Sequence, residues 1–294
     1  MAFKSFRVGL VSVLFGLSLE AQTKVERGIA LNPDGAIRVY ALVGSVRITG
    51  WSRDSVSIRG TIGKGNTFHA GGAKAGMKMF VESMDQRNSA ASHLEISVPV
   101  KAKIWVKTAT ADIDVSGVTG SLDLYVVGGT ITVNGNPSDV NAEAIDGDIR
   151  INGSPGWARA KSASGLVSLK GNSGDVTLST VSGGIEFEGR TERGKFETVT
   201  GNIRYAGTFL PRGAINFDSH SGSIDVTLPE FIGADFDIVS IAGSITNKLN
   251  SSKPIKGRYG RGSELSMSNA NGGTRVAIRS FKGPVSLMRG KQAQ

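Results

Sequence analysis

The chain has 294 residues, a formal charge of +9, 40 glycines, 8 prolines and no cysteine. Glycine is about twice its ordinary usage of roughly 7% without a strict triplet, which excludes collagen, and 39% hydrophobic residues with little proline exclude a disordered low-complexity chain. The lack of cysteine excludes disulfides, thiol catalysis and cysteine-held metal.

Residues 1–21 read as a signal peptide. Lys4 and Arg7 form a positive start, residues 8–19 are an apolar run, and Ala21 offers a small cleavage residue before Gln22. The run is shorter than the roughly 20 residues a helix needs to span a bilayer; a membrane anchor or buried helix is the competing reading. Cleavage would remove Lys4, Arg7 and Glu20 and leave +8. Residues 22–294 then form one exported domain, periplasmic, cell-surface or secreted, with no transmembrane span. Its basic charge suits anionic glycans, lipid headgroups or nucleic acid, without choosing among them.

Short alternating phrases begin at Gly44 (GSVRITG) and Ser55 (SVSIRG). Residues 63–76, GKGNTFHAGGAKAG, read as a flexible glycine-rich loop. GMKMFVES and HLEISVPVKAKIWVKT follow as longer strands.

From about 109 to 206 the chain repeats. Gly129, Gly147, Gly165, Gly183 and Gly201 stand 18 residues apart and open GTITVNG, GDIRING, GLVSLKG, GGIEFEG and GNIRYAG; Ala111 opens ADIDVSG one interval earlier. A second phrase begins nine residues later in each interval, at Gly120, Ser138, Gly156 and Gly174. Alternation makes each phrase a strand. The first supplies the columns Ile113, Ile131, Ile149, Val167, Ile185, Ile203 and Val115, Val133, Ile151, Leu169, Phe187, Tyr205. The second supplies Leu122, Val140, Ala158, Val176 and Leu124, Ala142, Ala160, Leu178. A corner column adds Val127, Ile145, Ala163, Val181 and Val199.

One such unit cannot bury its apolar face alone, whereas stacked units bury the columns continuously. The expected fold is therefore all-β: a single-domain parallel β-solenoid, or β-helix, with about 18 residues per coil and two main strands per coil. Hexapeptide packing fails, because six and twelve residues beyond Ile149 stand Pro155 and Lys161. Beyond Gly201 the phrases recur less regularly at Gly222, Gly243 and Gly283, so irregular capping regions are expected on both sides.

VSGGIEF, HSGSIDVTLP, ITGWSRDSVSIRG, ISVPVKAKIWVKT and the terminal GPVSL, in this order, resemble the bacterial putative-adhesin β-solenoid family, an exported domain of unknown function, over about residues 37–290. Departures are Ala111 for glycine and the disturbed TERGKF at 191–196. The resemblance implies an envelope or surface location, an adhesive role and an association with envelope-stress sensing. It implies no catalytic residues.

The residues themselves offer little chemistry. His69, His93 and His220 form no spaced metal motif, and no G-x-S-x-G elbow is present. The outward columns Asp114, Thr132, Arg150, Ser168, Glu186, Arg204 and Asp123, Asn141, Arg159, Thr177, Lys195 pair no carboxylates in adjacent coils, as a glycosidase would need. Asp146 and Asp148 read as turn formers, and calcium-solenoid spacing is absent. Glu143 before Lys161 and Lys170 before Glu188 read as charge balancing. Trp157 either covers the thin core at Ala158 and Ala160 or offers a sugar-stacking ring. No catalytic, cofactor or metal residue is assigned. The expected function is a non-catalytic adhesion or interaction scaffold of the envelope, with a glycan, envelope polymer or protein as partner and no specific nucleic acid. A polysaccharide-active enzyme and a sensor component are the alternatives; an acidic cleft beside 63–80 or 205–220 would favour the enzyme.

Overall fold

The computed structural model describes residues 22–258 and 260–290. The expected signal peptide at 1–21 lies outside them. The described residues form 25 strands and no helix.

Alternation builds each strand. In Ser121–Val126, Leu122, Leu124 and Val126 are buried while the residues between them face outward. Two ladders result. Ladder A stacks Asp112–Ser116, Ile131–Asn134, Ile149–Asn152 and Val167–Lys170 in parallel. Ladder B stacks Lys103–Thr108, Ser121–Val126, Asp139–Ala144, Trp157–Ser162 and Ser173–Thr180 in parallel. Leu122 faces Val140, Val140 faces Ala158 and Ala158 faces Val176, so the pairing follows the sequence repeat. The architecture is solenoid-like. Ile185–Thr198 and Ile203–Ser219 run through both ladders, with a register irregularity between Thr191 and Arg193 inside TERGKF.

Stack order departs from chain order at both ends. Ala36–Ala41 lies between Gly76–Ser83 and Lys103–Thr108, and Gly44–Trp51 lies between Ser92–Pro99 and Asp112–Ser116. Similarly, Thr274–Ser280 lies between Ile203–Ser219 and Ala234–Ser240. Each terminal coil thus slots between two others instead of ending the stack.

Antiparallel strands cover the outer coils. Thr23–Ala30 pairs with Ser55–Ile62, which pairs with Ser92–Pro99; Ser263–Asn269 covers Ala234–Ser240 at the far end. Such strands occupy backbone groups that would otherwise template association. The glycine-rich segment expected as a loop at 63–76 is one of them: Asn66–Ala73 is a strand, in hairpin with Gly76–Ser83. Glycine weakens an isolated strand, but a partner along its whole length supplies the missing hydrogen bonds.

The columns expected from both phrases are buried, from Ile113 to Ile203 and from Leu122 to Leu178. The repeating glycines are required by close approach. A Cβ on Gly147, Gly165, Gly183 or Gly201 would collide with the carbonyl oxygen of the glycine one coil earlier. Core thickness varies. Ala142, Ala158 and Ala160 leave slender coils, whereas Phe187, Phe196, Tyr205, Phe209 and Phe217 form an aromatic cluster with Phe187–Tyr205 and Phe196–Phe217 stacked at 4.9 and 5.0 Å. The Tyr205 hydroxyl donates to the Thr208 carbonyl at 3.0 Å, and burial pushes its pKa up.

Candidate functional site

The corner leaving ladder B corrects the expected corner column. Val127, Ile145, Val181 and Val199 are not core residues; they are 39–53% exposed. The inward place belongs to the residue before each of them: Val126, Ala144, Thr180 and Thr198. Strand alternation turns the next side chain outward. In several coils the inward residue is a hydroxyl. Ser162, Thr180, Thr198 and Ser240 accept from the amides of Gly165, Gly183, Gly201 and Gly243 at 2.9–3.1 Å. This hydroxyl-x-x-glycine spacing satisfies a buried turn amide where a hydrocarbon could not. It was present in the sequence, hidden under the more conspicuous hydrophobic alternation.

The outward corner side chains form a ridge that continues through His220, Phe281 and Ile241, since Ser219, Ser280 and Ser240 are in register. His220 and Phe281 stack at 4.8 Å, and Phe281 and Ile241 are 41% and 53% exposed.

Beside this end of the ridge lies an open depression of about 540 Å³ lined by Ser179, Glu197, Asp218, His220, Arg279 and Phe281, among others. Glu197 and Asp218 are register partners on adjacent strands. The pair lies outside the columns through Asp114 and Asp123, in a third outward column of Tyr125, Glu143, Lys161, Ser179, Glu197 and Asp218, so carboxylates in adjacent coils do meet on the outer face. Past 206, residues inserted at the corner lengthen the step from 18 to 21, which hides the pair from an 18-residue reading. The signal in the sequence is the recurrence of Thr198-x-x-Gly201 as Ser219-x-x-Gly222, whose hydroxyl residues are register partners. Burial, then the charge of Glu197, raises the Asp218 pKa, opposed by Lys195 and Arg279. Glu197 accepts the Lys195 ammonium at 2.7 Å, and Arg279 donates to Asp237 at 2.5 Å. Opposed carboxylates with one pKa raised are a proton-transfer arrangement in principle.

Other expected features lie elsewhere. Asp148 accepts from the Leu166 amide at 2.8 Å and pairs with Arg150 at 2.6 Å, and Asp146 accepts from Ser164, so both aspartates brace corners. Lys170 and Glu188 pair at 3.7 Å. Trp157 lies half-buried on the outer face beside Asp139 and Asp175, opposite the inward-facing Ala158 and Ala160, so it does not cover that core. Ser168, expected outward, is buried, since Arg150 and Glu186 stand beside it on both sides. His93 lies 2.9 Å from the Ser45 hydroxyl, while His69 pairs with Glu82 at 3.1 Å and stacks on Phe80 at 4.7 Å. Among the described residues, no three His, Asp or Glu converge as metal ligands, and no helix is long and apolar enough to cross a membrane.

Sequence reasoning also missed the aromatic and basic side chains on the other half of ladder B. Its outer face brings together Phe80, Tyr40, Trp105 and Tyr125 with Lys78, Arg38, Lys103 and Lys107 from four nonconsecutive stretches. Tyr125 stacks on Lys107 by the 18-residue step, but only the intercalated order brings Tyr40, Arg38, Phe80 and Lys78 beside them.

No curated protein matches the chain. Among solved structures, a putative adhesin from Bacteroides fragilis is 12% identical with a TM-score of 0.43, covering 91% of this chain and 98% of that one. A putative lipid binding protein from Parabacteroides distasonis is 14% identical with a TM-score of 0.43, covering 91% and 97%. A putative cell adhesion protein from Clostridium sporogenes is 11% identical with a TM-score of 0.27, covering 91% and 100%. Residues 43–288 match the family described as Toastrack DUF4097, a range that spans both ladders and begins just after Ala36–Ala41, and the chain belongs to that family.

Proposed function

We propose that the chain is an exported, non-catalytic protein of the cell envelope or surface that acts as an adhesion or interaction scaffold. Its frame on this reading is a parallel β-solenoid of about 18 residues per coil with two main strands per coil. The supporting observation is the corner ridge: Val127, Ile145, Val181, Val199, Ile241 and Phe281 remain exposed in one line although folding buries the neighbouring columns. Aligned exposed apolar side chains mark interaction sites more often than scattered ones do. At about 4.8 Å per coil the ridge is rigid and extended, which suits many weak contacts.

The test is a binding screen of the mature protein against envelope glycans, polymers and envelope proteins, repeated with Val181→Ser/Val199→Ser. Binding weakened by the double variant supports the ridge. Absence of any binding at low salt overturns the scaffold reading.

The Glu197–Asp218 pair supports a second reading, a polysaccharide-active enzyme, because it lies in a depression beside the 205–220 segment. Reducing-sugar release from a bound polymer, abolished in Glu197→Gln and Asp218→Asn, would establish it.

A further inference from the structure

The outer face of ladder B near its first coils gathers aromatic and basic side chains. Four adjacent strands, Gly76–Ser83, Ala36–Ala41, Lys103–Thr108 and Ser121–Val126, present Phe80, Tyr40, Lys107 and Tyr125 in one row. The next row holds Lys78, Arg38, Trp105 and Asp123, and Lys103 follows in a third. The Lys78 ammonium lies 4.9 Å from the centre of the Tyr40 ring and 5.1 Å from that of Phe80; Lys107 lies 5.0 Å from that of Tyr125. Tyr40 and Trp105 are 4.8 Å apart and tilted by 52°.

Arg38, Lys78, Lys103 and Lys107 are exposed and form no ion pair among the described residues. Of the nearby carboxylates, Glu82 pairs with His69 and Asp123 accepts from the Asn141 amide at 3.0 Å, while Glu143, beside Tyr125 one coil on, bounds the row. Arg38 and Lys78 are direct register partners. Like charges placed opposite each other destabilise a sheet, so the fold carries this arrangement at a cost that an anionic ligand would remove.

We propose that this face binds a linear anionic polysaccharide, its carboxylates meeting Arg38, Lys78, Lys103 and Lys107 and its sugar rings lying against Trp105, the ring of this face with no ammonium over it among the described residues. The proposal deepens the scaffold reading, on which it rests, and uses a face distinct from the corner ridge. Charge complementarity selects a polyanion, and the flatness of the face suits a polymer held by repeated contacts. The rings separate a glycan from single-stranded nucleic acid. Bases stack on open aromatic faces, whereas ammonium groups lie over Tyr40, Phe80 and Tyr125. The face therefore presents spaced cations beside a single ring, Trp105, that no ammonium covers, too few open rings for successive bases.

The experiment measures binding of the mature full-length protein to polygalacturonate, neutral dextran, oligo-thymidylate and phosphatidylglycerol vesicles at low and high salt. Polygalacturonate should bind most tightly, with affinity falling as salt screens the contacts. The variant Arg38→Gln/Lys78→Gln/Lys103→Gln/Lys107→Gln should weaken it about tenfold or more, since multivalent contacts multiply. Trp105→Ala should weaken it at high salt, where charge is screened. A charge-matched variant, Lys248→Gln/Lys253→Gln/Lys256→Gln/Arg275→Gln, should bind like wild type. Equal loss in both quadruple variants would reduce the effect to net charge and overturn the site. Tighter binding of oligo-thymidylate or vesicles would overturn the glycan assignment, as would no binding of polygalacturonate. In any of these cases, binding of another partner through Val181 and Val199 leaves the scaffold reading standing.

Discussion

The two ends of ladder B use aromatic and charged residues in opposite ways. Near the first coils, Tyr40, Phe80, Trp105 and Tyr125 sit on the outer face among Arg38, Lys78, Lys103 and Lys107, which have no ion-pair partners among the described residues. Toward the last coils, Phe187, Phe196, Tyr205 and Phe217 fill the interior, and three outer cations are paired, as Arg193–Asp175, Lys195–Glu197 and Arg279–Asp237. The frame is the same at both ends, because alternation assigns each residue to one face. A shift of one residue in where the aromatic falls converts a core-filling ring into a surface ring. One end is thereby built for thickness, the other for contact.

The sharpest way to test this contrast is to remove one ring from each end. Phe196→Ala should cost about 3–5 kcal/mol, since a buried phenylalanine leaves a cavity, whereas Trp105→Ala should cost far less; denaturant titration reads both. Equal losses would break the comparison. Thr198→Val keeps the shape of the far-end corner but leaves the buried Gly201 amide without its acceptor, a loss of about 1–3 kcal/mol. Tyr205→Phe removes only the hydrogen bond to Thr208 and should cost about 0.5–1.5 kcal/mol in the same titration.

A smaller effect separates the ends by pH. Asp218 has a folded-state pKa raised above 3.8, so its ionised form is penalised in the fold at neutral pH. That penalty fades as pH falls through the raised value and is absent below 3.8. Asp218→Asn should therefore raise the melting temperature modestly at pH 7 and leave it unchanged near pH 3. A gain of the same size at both pH values would remove the electrostatic explanation. The smallest effect belongs to Arg193→Ala, whose exposed ion pairs should leave thermal unfolding almost unchanged, because water and salt screen them.

Much of the frame was legible in the chain. The all-β character, the buried columns and the glycine corners follow from side-chain alternation and from the collision a Cβ would cause. The candidate sites were less legible, for two physical reasons. The corner residues Val127 and Ile145 are apolar, and hydrophobicity alone places them inside; only the backbone turn decides that Val126 and Ala144 are the buried ones. Glu197 and Asp218 belong to one column only after the inserted residues are absorbed by the corner.

The sequence by itself determined the repeating unit, because burying an apolar face requires stacking whenever a single unit is too small to enclose it. Tertiary structure alone decided which units became neighbours at the ends. Ala36–Ala41 lies between Gly76–Ser83 and Lys103–Thr108 because an edge coil gains hydrogen bonds on both sides when it slots into the stack. That placement sets Tyr40 beside Trp105 and Arg38 beside Lys78, across sequence separations that no local pattern encodes.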